Sequence, residues 1–135
     1  MRQSLIRLVA VAALAGGGAG CTTVPDAPIV ANGPAAAEGS LVALMQPVQA
    51  GPVVLTPTRV LEDSRCPQNA RCVWAGRAIV TTRIDGPGWR ETRDFVLGVP
   101  LEEHGHMLTL VSVQPETTMD VITPSEDYRF AYQAR

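Results

Sequence analysis

From Ser40 to the end of the chain, apolar residues come in short runs separated by proline, glycine and acidic turns. That spacing predicts strands rather than helices. "LVALMQ" (41–46) and "PVVLTPTRVLE" (52–62) are the first candidates, and Pro57 marks the second as an edge strand or a bulged one. "CVWAGRAIVTTRI" (72–84) alternates most clearly. Cys72, Trp74, Gly76, Ala78, Val80, Thr82 and Ile84 fall on one face, with Arg77, Arg83 and Asp85 on the other. It predicts a strand starting at Cys72, with Trp74 on the buried side.

"DGPG" (85–88) is a turn by composition. In "WRETRDFVLG" (89–98), Trp89, Phe95 and Leu97 are in phase, opposed by Arg90, Thr92 and Asp94. "PLEEHG" (100–105) reads as a loop and "HMLTLVSVQP" (106–115) as a strand apolar on both faces. In "DYRFAYQA" (127–134), Tyr128, Phe130 and Tyr132 face one way and Asp127, Arg129 and Gln133 the other. The prediction is an all-β domain over 40–135: one immunoglobulin-like two-sheet sandwich of about seven strands, with a small β-barrel as the alternative.

The first residues follow a different pattern. Arg2 and Arg7 give a positive start, Leu5 to Leu14 form an apolar run, and small residues from Gly16 lead to Cys21. These are the parts of an export signal over 1–20, and the run is shorter than the about 20 residues that span a bilayer. "GAGC" (18–21) resembles the lipobox of bacterial lipoproteins, which implies cleavage before Cys21 and its acylation. Thr22 follows the cysteine, without the Asp that often retains such proteins at the inner membrane. The resemblance thus implies an outer-membrane anchor facing the periplasm, with a soluble periplasmic or secreted protein as the alternative. Prolines at 25, 28 and 34 break any helix in the Ala-rich segment that follows. Residues 21–39 therefore read as lipidated Cys21 and a flexible tether.

Charge adds mainly an exclusion. The chain has 11 basic and 13 acidic residues; without residues 1–20 the balance is 9 to 13. No basic cluster supports nucleic-acid binding. Every basic residue is Arg. Arg59, Arg65, Arg71, Arg77 and Arg83 recur every six residues, but a cysteine loop interrupts the strand that would align them.

That loop, "DSRCPQNARCVWAG" (63–76), holds the main candidate chemistry. In an exported chain, Cys66 and Cys72 form a disulfide by default, closing a small ring worth about 2 kcal/mol in the chain-entropy model. Cys21 is then the odd cysteine. Five intervening residues do not suit a thioredoxin-like site, and the ligand set is too small for structural zinc. The ring exposes Pro67, Gln68, Asn69, Ala70 and Arg71 as a contact loop, from which Arg65 or Arg71 could enter a hydrolase pocket. His104, His106 and Met107 in "EEHGHM" are ligand types suited to copper. No nucleophile elbow or phosphate-binding glycine loop is present, and no cofactor is implied.

"DSRCP", a short spacer and "CVWAG" resemble the signature of a family of small exported bacterial proteins, often lipoproteins. The resemblance is strong over 62–78 and loose elsewhere. It implies a disulfide-bearing β-domain and carries over no catalytic residue. The expected function is a non-enzymatic binding or structural module of the cell envelope, its partners the membrane and an envelope protein. The alternatives are a periplasmic copper-binding protein and a hydrolase inhibitor.

Overall fold

A computed structural model describes residues 33–135. The expected export signal, Cys21 and the first part of the expected tether lie outside the described residues. The described chain is all-β, with seven strands in two antiparallel sheets and one short 3-10 turn at Ser125–Asp127. None of its helical segments is long and apolar enough to cross a membrane.

The first sheet holds β1 (Val48–Ala50), β2 (Val53–Asp63), β3 (Ala78–Gly86) and β4 (Trp89–Val96) in that order. The second holds β5 (Leu101–Glu103), β6 (His106–Gln114) and β7 (Arg129–Ala134). The sheets do not close on themselves, so the architecture is the two-layer sandwich and not the barrel. Four strands facing three matches an immunoglobulin domain in number, but within each sheet the strands follow in sequence order, as meanders and not in that domain's Greek-key order.

The core follows the alternation. Val80, Thr82 and Ile84 of β3 and Phe95 of β4 meet Leu108, Leu110 and Val113 of β6 and Phe130 and Tyr132 of β7. Phe95 and Tyr132 pack edge to face, 5.5 Å between centroids. The Tyr132 hydroxyl, otherwise a costly polar group in this interior, lies 2.7 Å from Thr82 Oγ1. A bulge between Leu110 and Ser112 shifts the phase of β6, which lets that strand bury residues of both parities.

Several expectations need correcting. The 41–46 segment is not a strand: Val42 alone forms a bridge, to Phe130, and the chain then turns through Met45 at φ 65°. Of the two readings of Pro57, the bulge holds and the edge strand does not. β2 is paired on both sides, and Pro57 is accommodated by a bulge before Arg59. Residues 100–105 are not all loop, since Leu101–Glu103 is a short strand.

The folded domain also begins before Ser40. Ala36 pairs with Val48, and the Glu38 carboxylate accepts hydrogen bonds from the N–H groups of Gly51 and Ala134, at 3.0 and 2.8 Å. Those two bonds, Ala134 first, hold the Glu38 carboxyl below its ordinary value. The end of the expected tether is thus a clasp between the β1–β2 hairpin and the end of β7.

Candidate functional site

The cysteine loop connects β2 to β3 at one end of the sandwich. Cys66 and Cys72 are disulfide-bonded, with Cα atoms 5.8 Å apart. Around this ring the backbone continues the β2–β3 ladder in broken form. Ser64 N donates to Arg77 O at 2.8 Å and Cys66 N to Ala75 O at 3.1 Å. Gly76 makes that approach possible. It sits at φ +67°, and a Cβ there would lie 1.7 Å from the carbonyl oxygen of Ser64.

Arg65 ties the loop to the opposite sheet. Its guanidinium forks onto Asp63 at 2.7 and 2.8 Å and donates to the carbonyls of Val113 and Pro115 at 2.6 and 2.9 Å. Asp63 also accepts from the Tyr128 hydroxyl at 2.9 Å. Burial alone would raise the Asp63 carboxyl, but the bonds from Arg65 and Tyr128 outweigh it and hold it below its ordinary value. The same partnership raises Arg65, and burial followed by the Asp63 bond raises the Tyr128 phenol.

A second loop, between β6 and the 3-10 turn, packs against the first. Gln68 N donates to Thr117 O at 2.9 Å and Gln68 Nε2 to Thr118 Oγ1 at 3.2 Å. Met119 N donates to Asn69 Oδ1 at 2.8 Å, and Thr117 Oγ1 to Arg65 O at 3.2 Å.

These bonds redistribute the expected contact loop. Pro67 and Ala70 are half-buried, and Gln68 and Asn69 use their polar groups within the molecule. Arg65 is held inside, so only Arg71 remains as an outward-facing arginine of the expected pair. The exposed stretch instead runs from Arg71 to Arg77. Trp74 is not buried, and β3 does not begin at Cys72. Strand pairing starts at Ala78, while Trp74 is 83% and Val73 93% exposed. The ring and the left-handed Gly76 re-aim the chain, so alternation upstream of Arg77 no longer reports a sheet face.

The neighbouring loop carries exposed apolar side chains of its own: Met119, Val121 and Ile122, the last 92% exposed. The alternation pattern assigns this segment no element. Its signal was an apolar pair set among Asp120, Thr123 and Pro124, with no alternation to bury it.

The expected copper ligands are not gathered as a set. His104 occupies the β5–β6 turn at φ 49° and stacks on Trp89, 3.9 Å between centroids. Its Nε2 lies 3.7 Å from Glu103 and 4.0 Å from Glu91, so the group with metal-ligating atoms is Glu91, Glu103 and His104. His106 pairs with Glu103 along the β5–β6 ladder and Met107 with Glu102, and alternation puts the two on opposite faces. Arg93 already pairs with both carboxylates of the group: its Nε donates to Glu103 at 2.6 Å, and its guanidinium approaches Glu91 to 3.8 Å. The contact with Glu103 raises the Arg93 pKa.

Compared with family models, curated proteins and solved structures, the chain matches none.

Proposed function

We propose that the protein is a non-enzymatic binding module of the bacterial cell envelope, held at the outer membrane by acylated Cys21. Its contact surface is the exposed stretch of the cysteine loop, centred on Val73 and Trp74. The observation that carries this reading is an indole 83% exposed on a loop that is braced rather than loose. A disulfide, the Asp63–Arg65 pair and the bonds to the 117–119 segment all hold that loop.

Isolated exposed apolar residues are ordinary on protein surfaces. Here two adjacent exposed apolar side chains, one a tryptophan, sit on a loop that is ordered in advance. Tryptophan is among the commonest anchors of protein interfaces. Burying an indole removes roughly 150–250 Å² from water, and prior ordering lowers the entropy cost of doing so. Arg71, also exposed, supplies charge at the rim. The hydrolase-inhibitor variant of this reading rests on Arg71 alone.

The test is a chemically crosslinked pull-down from native envelopes, comparing the wild type with Trp74→Ala. The reading expects one or more envelope proteins captured by the wild type and lost with Trp74→Ala, while anchoring is unchanged. Capture that is indifferent to Trp74→Ala would contradict it.

A further inference from the structure

β4 is an outer strand of the first sheet, and among the described residues no strand pairs with its far side. Its ladder with β3 is unbroken, from Gly86↔Trp89 through Ile84↔Glu91 and Thr82↔Arg93 to Ile79↔Val96. One step further, Leu97 N donates to Ala78 O at 2.9 Å, which sets the phase of the ladder. Bonded and non-bonded pairs alternate along antiparallel strands. Trp89, Glu91, Arg93 and Phe95 therefore turn their peptide groups toward β3. Arg90, Thr92 and Asp94 turn theirs to the open edge.

Open edges are usually blunted by proline, by a bulge, by covering chain or by charged side chains. On β1 and β7, covering chain is present: Ala36 bridges Val48, and Val42 bridges Phe130. β4 contains no proline and no bulge. Its residues Arg90, Glu91, Thr92, Arg93 and Asp94 form a charge pattern that is self-complementary about Thr92, although within one copy Arg90 already pairs with Asp85, Arg93 with Glu103, and Asp94 accepts from Thr81. An antiparallel second copy centred there would set Arg90 against Asp94 of that copy, Glu91 against its Arg93 and Thr92 against its Thr92. Opposite charges directly across a ladder stabilise it. The register also matches the backbone, because every outward-facing residue then meets another outward-facing residue.

We propose that two copies of this chain associate edge to edge through β4, antiparallel, with a two-fold axis at Thr92, so that their first sheets join into one. The interface is isologous and closed, which limits it to a dimer. A contact made by one strand from each copy belongs among the small, weak and concentration-dependent ones. The cysteine loops stay free, at opposite ends of the joined sheet, so this contact and the Trp74 surface are independent.

The test uses the full chain carrying Cys21→Ser, followed by sedimentation equilibrium from micromolar to millimolar concentration. Thr92→Pro removes only an outward N–H and leaves the β3–β4 ladder intact; it weakens the dimer by roughly tenfold or more, since each copy loses a hydrogen bond. Thr92→Cys adds a readout that does not depend on that variant folding. Bonded antiparallel partners have Cα atoms about 5.5 Å apart, within reach of a disulfide. Under oxidising conditions Thr92→Cys gives a covalent dimer, whereas Asp94→Cys, displaced along the strand from its mate, does not. A chain that stays monomeric at millimolar concentration would overturn the proposal. So would a dimer indifferent to Thr92→Pro, or equal crosslinking at the two positions.

Discussion

At the level of single residues, Arg65 organises the most. Four of its hydrogen bonds join the end of β2 to the end of β6, and its carbonyl accepts a fifth from Thr117. Nothing in the sequence distinguished it from Arg59 or Arg71, because the hexapeptide spacing carries no information across a loop. Its partner Asp63 makes the loop sensitive to acid. A carboxyl held low by folding stabilises the fold above its unfolded pKa, about 3.9. That contribution is lost as pH falls through the lower folded value. Glu62, held low by bonds from Arg77 and Ser64, acts in the same direction. The melting temperature should therefore fall below about pH 4, and Asp63→Asn should make that fall shallower. At pH 7 the same substitution should cost about 1.5–3 kcal/mol, the usual worth of bonds to a charged group. Thermal melts across pH check both.

Among the elements, those with a clean period of two were legible, and those closed by distant contacts were not. β7 buries Phe130 and Tyr132, with Tyr128 just ahead of the strand, as the alternation required. β3 keeps its predicted face from Ala78 onward. Upstream the same alternation misled, because Gly76 breaks the strand with a left-handed turn that no count of apolar residues reveals. The clasp at Glu38 was hidden for another reason: its partners Gly51 and Ala134 lie far along the chain. Gly76→Ala tests the turn. Alanine must adopt φ > 0, at roughly 1–2 kcal/mol, and its Cβ would strike Ser64 O. A loss of about 2 kcal/mol or more is expected, or about 8–15 °C in melting temperature for a domain of this size. Hydrogen exchange at Ser64 and Arg77 should accelerate, while the amides of β6 and β7 stay protected. Uniform loss of protection would assign Gly76 a global role instead.

For the whole molecule, the sandwich divides into regions with separate tasks. The two-sheet core carries the stability, the β4 edge is the proposed seat of self-association, and the end bearing the cysteine loop is the proposed binding surface. The layers could be read from apolar spacing, since each sheet must bury one face. The binding surface could not. Exposure of Trp74 depends on how the disulfide and Gly76 aim one short segment, and the sequence alone favoured burial. Replacing Trp74 with a photo-crosslinking amino acid in cells that make the protein tests the central claim most directly. Position 74 should yield a discrete crosslinked envelope partner, and position 59, exposed on β2, should not. Crosslinking at 59 but not at 74, or at neither, would contradict the assignment of the loop as the contact surface.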